Sequence, residues 1–221
     1  MPELVWDELD QRFFERGVSH GVLYTPVAGV YSTGVAWSGL TAVTESPAGA
    51  ESNKQYADNI VYVNLLSAEE FNATIEAFTF PPEFLAADGV AKSANGMQIG
   101  MQSRQTFGFS WRTLKGNAED EDLGYITNLA YGLLASPSEK ASNTVNDSPE
   151  LKQFSWSVSS TPVSVTGHKP TAIIKVDSTD PDVDPAGLEA LLDVLYGRGA
   201  AGTARLPLPD EVDSLLGTAA P

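Results

Sequence analysis

The chain has 221 residues, with 13 Lys and Arg against 29 Asp and Glu, for a formal charge of −16. That length suits one large domain, or one domain with an extension, and can bury a stable core without crosslinks. The acidity argues against gripping nucleic-acid phosphates or an anionic membrane. The absence of cysteine excludes disulfides, thiolate metal sites and a cysteine nucleophile. Acids at Glu3, Asp7, Glu8, Asp10 and Glu15 argue against a secretory hydrophobic segment. No apolar run is long enough for a membrane-spanning helix. With 19 Gly and 14 Pro, composition tilts toward a turn-rich β protein.

In chain order, weaker strand patterns cover Val18 to Tyr24 and Gly34 to Leu40. The segment Asn59 to Leu66 (NIVYVNLL) is apolar on both faces, which predicts a central strand or one covered by a partner. Ser67 and Glu70 have capping-box spacing, which predicts a short helical turn there. Ala73 to Phe80 alternates as a strand, and Asn95-Gly96 predicts a hairpin turn before a weaker strand at Met97 to Ser103. Thr106 to Arg112 puts Phe107, Phe109 and Trp111 on one face and Gly108, Ser110 and Arg112 on the other, the pattern of a strand with one buried face. Tyr125 to Leu133 aligns Tyr125, Thr127, Leu129, Tyr131 and Leu133 on one face. Phe154 to Ser159 and Thr171 to Val176 complete the strands. Turn chemistry separates them at Ser46-Pro47, Pro81-Pro82, Ser136-Pro137 and Asp147-Ser148-Pro149.

One helix is predicted over 185–196, with Asp184 as N-cap, Pro185 at its first position and Gly197 at its end. Leu188, Leu191, Leu192 and Leu195 form its buried stripe. Residues 198–221 read as a flexible extension rich in Gly, Ala and Pro, with a short helix around Asp210 to Leu216 that docks on a neighbour. The expected architecture is a mostly β, antiparallel sandwich or barrel-like fold over 1–197 with one packed helix and flexible loops, followed by that extension.

No catalytic signature stands out. The run Asp177, Asp180, Asp182 and Asp184 departs from a calcium loop, because Pro185 replaces the glycine and Leu191 the final acid; it reads as a solvated loop that caps a helix. Glu119, Asp120, Glu121 and Asp122 must be solvated. They read either as an exposed loop or as a charged projection facing a partner or an aqueous channel. His20 and His168 sit in no metal or nucleophile motif, and no phosphate-binding or dinucleotide glycine pattern occurs. The sequon at Asn72-Ala73-Thr74 reads as chance. No cofactor, metal or enzymatic role is expected.

An ordered set of segments resembles the major tail proteins, or tail tube proteins, of long-tailed bacteriophages of Gram-positive and actinobacterial hosts. The set begins with FERGVSHGVLY from Phe14, GVAWSGL (Gly34 to Leu40), VTESPAGAE (Val43 to Glu51) and YADN (Tyr56 to Asn59). It continues with ATIEAFTFP (Ala73 to Pro81) and RQTFG (Arg104 to Gly108). Its most specific stretch is YGLLASPSEKASNTVNDSPE (Tyr131 to Glu150), followed by Phe154 to Trp156 and His168 to Ala172. The resemblance spans about residues 6–197.

What it implies is a structural virion protein assembled in the host cytoplasm, without catalytic residues or cofactor. Hexameric rings stack into a tube whose inner β-barrel encloses a tape-measure protein. Tail tip and tail terminator proteins are further partners, and DNA later passes through the lumen without specific binding. In that frame Glu45, Ser46, Pro47, Glu51 and Tyr56, in the long loop 42–59, are candidates for inter-subunit contact. Glu119 to Asp122 are candidates for ring stacking or the lumen. Six copies at −16 each would place −96 on one ring, and an acidic lumen wall would repel phosphates. The alternative is a β-sandwich binding module of a tail tip or capsid that recognises carbohydrate or a receptor. Such modules present exposed aromatics, whereas Trp37, Trp111 and Trp156 sit in core-like alternation and only Trp6 does not. A hydrolase with paired acids has no supporting motif.

Overall fold

A computed structural model describes residues 6–144, 151–199 and 202–217. The turn expected at Asp147-Ser148-Pro149 lies outside the described residues. Over these residues the fold is mostly β and antiparallel, with two helices and no closed barrel. The main sheet has the order β2-β1-β11-β12-β13-β8-β3, and β14 also pairs with β12. Its strands are β1 (Phe14–Val27), β2 (Val30–Trp37), β3 (Leu40–Glu45), β8 (Asn72–Ala77), β11 (Phe107–Gly116), β12 (Gly124–Ala135), β13 (Phe154–Ser160) and β14 (Ile173–Asp177). Three two-stranded ribbons stand beside it. They join β4 (Ala48–Gly49) to β7 (Glu69–Glu70), β5 (Ser52–Ala57) to β6 (Ile60–Leu66), and β9 (Ala91–Lys92) to β10 (Gln98–Ile99).

The sheet curls around an aromatic core. Phe84, in a single 3-10 turn at Pro82–Leu85, packs 4.6 Å from the Trp37 ring and 5.0 Å from that of Trp156. Phe107, Phe109 and Trp111 enter the same core, as their alternation predicts. Their opposite face is not solvated. Ser110 is 0% exposed, and its hydroxyl donates to Tyr24 Oη at 3.1 Å. A Cβ on Gly108 would lie 2.5 Å from Leu206. The expectation of one buried face is therefore corrected: the central strands have a core on each side.

The second core lies under α1 (Pro185–Tyr196) and α2 (Pro209–Leu216). Asp184 Oδ2 accepts the Gly187 N–H at 3.0 Å, Pro185 opens α1, and Gly197 closes it at φ 65°. These are the predicted cap residues, and all four stripe leucines are buried. They pack on Tyr24, Tyr31, Leu129, Tyr131 and Val176. Tyr24 Oη donates to the Leu195 carbonyl at 2.9 Å and Tyr131 Oη to the Pro207 carbonyl at 3.0 Å. Burial raises the pKa of both phenols far above the ordinary tyrosine range, so both stay protonated.

One strand serves both cores because its faces switch. Phe107 pairs with Leu133 but Phe109 pairs with Ala130, so β12 holds an extra residue there. Gly132 occupies the bulge at φ 59°, and a Cβ would lie 2.2 Å from the Thr161 carbonyl. Before it, Leu129 and Tyr131 face the helices; after it, Leu133 and Ala135 face the aromatic core. The single face predicted for Tyr125 to Leu133 is broken at that point. His20, at φ 52°, marks a similar register shift in β1 and sends Val18 and Val22 to different cores.

Other expectations change. No helix forms at Ser67: Glu69–Glu70 is strand, and Ser67 Oγ accepts the Glu51 N–H at 2.9 Å across the ribbon. The strand predicted to Phe80 ends at Ala77, before Pro81-Pro82, and that at Met97 to Ser103 is reduced to Gln98–Ile99. The Asn95-Gly96 turn joins β9 to β10 as expected, with Gly96 at φ 81°. The C-terminal extension is not a loose tail over its described residues. Leu206 and Val212 are each 2% exposed, and α2 packs on α1 of its own chain so closely that a Cβ on Gly187 would meet the Leu215 carbonyl at 2.7 Å. Arg205 forms a two-pronged ion pair with Glu211. It also lies along β2, where Gly34 N–H donates to Ala204 O at 2.7 Å and Leu206 N–H to Tyr31 O at 3.1 Å.

Two outcomes follow from this anchoring. Leu206→Ala should lower unfolding free energy by about 2–5 kcal/mol in urea titration, as a buried leucine does; a loose tail would leave the curve unchanged. The hydrogen bonds from Arg205 hold the Glu211 carboxyl below the ordinary glutamate range. A depressed carboxylate contributes stability above its unfolded pKa and loses it as pH falls through the folded value. Wild type should therefore lose more stability than Arg205→Ala between about pH 5 and pH 3, read from melting temperature against pH.

Candidate assembly surface

The inter-subunit candidates Glu45, Ser46, Pro47, Glu51 and Tyr56 fall on one structure. Residues 40–77 form a single ribbon folded back at Asp58-Asn59. Its root is β3 paired with β8, then β4 with β7, then β5 with β6. The loop expected over 42–59 is thus mostly strand. Asp58 and Asn59 have φ of 51° and 63°, as a two-residue hairpin turn of the favoured hand requires. From Ser46 to Glu70 every residue is exposed except half-buried Ala57. At ~3.3 Å per residue, Ser46 to Asp58 spans roughly 40 Å of chain.

This arm is apolar where a solvated ribbon should be polar. All of β6 is exposed, with Tyr62 at 76% and Leu66 at 69%; Tyr56 opposite is at 69%. The prediction of a central strand is corrected, because among the described residues β6 pairs only with β5 and is exposed along its length. Net charge vanishes there: between Ser52 and Ala68 the only charged side chains are Lys54 and Asp58. Acids gather at the root instead, at Glu45, Glu51, Glu69 and Glu70. Glu45 is tied down by Lys175 at 2.8 Å, and Ser46 N–H donates to Asn72 O at 2.8 Å.

Glu119 to Asp122 lie elsewhere, in the turn from β11 to β12 beside the start of β1. Asn117 organises the turn, accepting the N–H groups of Glu119 and Asp120 on Oδ1 and donating through Nδ2 to Asp10 O. Arg16 holds Glu121 and Asp122, each at 2.9 Å. Exposed Phe13, Phe14, Leu114 and Leu123 surround it. The turn is exposed, and Arg16 pairs with two of its four carboxylates but offsets only one of their charges.

The acids of the Asp177–Asp184 run have separate tasks. Asp177 holds Lys115 and Thr179, Asp180 accepts the Asp182 N–H, and Asp184 caps α1. Burial pushes the Asp177 carboxyl up, but its bonds from Lys115 and Thr179 prevail and leave it below the usual range. Among the described residues no cluster of three His, Asp or Glu could hold a metal ion. His20 packs 6.1 Å from Tyr196; burial, with the charges of Arg112 and Arg198, lowers its pKa and leaves it neutral at pH 7. His168 lines an open groove of about 770 Å³ between β14 and α2. Trp37, Trp111 and Trp156 are buried and Trp6 is exposed, as expected.

The segment Tyr131 to Lys140 is explained by architecture. It contains the Gly132 bulge, and Lys140 reaches the buried Asp88 carboxylate, which Arg104 also approaches at 3.5 Å. No helix among the described residues is long and apolar enough to cross a membrane. No protein-family model matches the chain, and no curated protein matches it.

Deletion of Glu119 to Asp122 tests the turn. The expected outcome is a folded monomer with impaired self-association in sedimentation velocity; undiminished association would assign the turn no role at the contact.

Proposed function

We propose that the protein is the structural subunit of a bacteriophage tail tube, assembling as stacked hexameric rings around a tape-measure protein and forming the conduit for DNA. The observation that carries the reading is the arm. An exposed apolar strand with one open edge is an aggregation hazard that proteins cover or blunt. Here it is neither covered nor blunted by charge, so cover from other copies gives it a purpose. A projecting arm and a separate receiving surface make a heterologous contact, which closes into rings or extends into filaments. The sequence resemblance supplies the remainder: virion location, tail tip and terminator partners, and a structural rather than enzymatic role. The buried tryptophans favour this reading over a carbohydrate-binding module.

Negative-stain microscopy of the purified protein tests it. Rings or tubes of uniform diameter are the expected result; a monomer that stays dispersed at high concentration and binds glycans would favour the binding module. Val63→Asp combined with Leu65→Asp, both exposed on the monomer, should abolish assembly while leaving the monomer's melting temperature unchanged.

A further inference from the structure

Most arginines of this acidic chain meet a carboxylate or a carbonyl. Arg16 holds Glu121 and Asp122, Arg104 approaches Asp88, Arg205 grips Glu211, and Arg12 donates to the Asp7 carbonyl. Arg112 and Arg198 are placed differently. Among the described residues Arg112 forms no ion pair, and its Nε is buried without a hydrogen-bond partner. Arg198 has Glu189 no nearer than 4.0 Å, and both side chains there are largely exposed.

The two arginines meet at one ring. The Arg112 guanidinium lies 4.0 Å from the centre of the Tyr125 ring and 5.3 Å from that of Tyr196, while Arg198 lies 5.1 Å from the Tyr196 ring. His20 packs near the same ring at 6.1 Å, with its Nδ1 3.0 Å from Ser19 Oγ. The Tyr196 hydroxyl is a second buried group with no hydrogen-bond partner. Four elements build this cluster. Arg112 on β11 pairs with Ser19 on β1, beside the His20 bulge. Tyr125 comes from the start of β12, Tyr196 ends α1, and Arg198 follows it. The ring faces hold the guanidiniums by cation–π attraction but supply no acceptor oxygen for their N–H groups.

We propose that Arg112, Arg198 and His20 form a binding site for a small tetrahedral oxyanion of the phosphate class. Two guanidiniums and an imidazole, gathered with no carboxylate nearer than Glu189, make a local positive potential in a chain of net −16. A buried donor that its own chain leaves unpaired carries a desolvation cost, which an anion beside it offsets. A guanidinium fork matches two oxygens of such an anion. Tyr125 and Tyr196 fix the Arg112 fork in advance, which lowers the cost of binding. Arg198 and His20 reach solvent, so the anion has an open approach. Its size follows from charge. A compact anion presents its whole charge to the cluster, whereas a long polyanion also meets the acids elsewhere on the surface. The site is complete within one chain, so it stands apart from the self-assembling reading above.

Imidazole NMR tests the site, because His20 and His168 are the only histidines and His168 serves as internal control. Inorganic phosphate is titrated into the full-length chain against sodium chloride of equal ionic strength, on the Val63→Asp, Leu65→Asp background where wild type assembles. A bound anion favours the protonated imidazole. The His20 pKa should therefore rise saturably by about half a unit or more, with a dissociation constant on the order of millimolar, while His168 moves no more than in chloride. Arg198→Gln, at an exposed position, should keep the wild-type melting temperature and weaken phosphate by about tenfold. Arg112→Lys, which keeps the charge and loses the fork, should weaken it too. Equal movement of His20 in phosphate and chloride, or full phosphate affinity in Arg198→Gln, overturns the site. A short single-stranded oligonucleotide should move His20 less than inorganic phosphate at equal phosphate concentration; a larger effect overturns the assignment to a small anion.

Discussion

The extra residue at Gly132 is the constraint on which the body of this fold depends. Strand side chains alternate strictly, so a strand that enters two cores in succession must change face part-way. Only a bulge does this without breaking the ladder, and the left-handed backbone at φ 59°, 2.2 Å from the Thr161 carbonyl by its would-be Cβ, admits only glycine. The first half of β12 then lies under α1 and pairs with β14, while the second half turns into the aromatic core and pairs with β13. The sheet forks at the bulge. Tyr31 Oη accepts the N–H of Gly132 at 2.8 Å, which ties β2 to the fork. The C-terminal segment completes the arrangement by placing Leu206 against Gly108 and Tyr31.

Much of this was legible in the sequence where a residue's local preference and its tertiary role agree. Asp184, Pro185, the leucine stripe and Gly197 define α1 because caps and periodicity act within a few residues. Phe107, Phe109 and Trp111 announce a strand for the same reason. What failed was inference about the other side. Gly108 and Ser110 look solvated because small and polar residues usually are, yet they are small so that Leu206 and Tyr24 can approach. Likewise Leu206 and Val212 are two apolar residues in a stretch dominated by Gly, Ala and Pro. Composition reads that stretch as flexible, while their burial depends on joining a core that holds Tyr31 and Tyr131, far away in sequence.

The arm shows the opposite error. Ile60 to Leu66 looks like core because its hydrophobicity matches core strands, but its partner strand SNKQYA is polar and gives no strand signal. Asp58-Asn59 was the available clue: two residues that tolerate positive φ, set between a polar run and an apolar one, make a two-residue hairpin. Hydropathy cannot distinguish a strand buried within its own chain from one the fold leaves exposed. The acidic candidates divide for a similar reason. Glu45 and Glu51 lie at the arm's root by chain continuity, whereas the role of Arg16 in holding Glu121 and Asp122 comes from a distant strand.

Charge and reach together give the arm its physical logic. The whole −16 lies outside residues 52–68, with Glu45, Glu51, Glu69 and Glu70 collared around the base. Repulsion between such bodies decays over a Debye length of about 8 Å at physiological salt. Beyond Glu51, the stretch Ser52 to Asp58 extends the chain by roughly 20 Å, more than two such lengths, so the tip of the arm lies where the field of the acidic body has largely died away. Closer approach then has to overcome the collar, which opposes promiscuous stacking unless the short-range apolar contact is well formed. In the proposed assembly the same charge would act as a selectivity device: weak, misaligned encounters would lose to repulsion, and contacts that bury the strand along its length would survive.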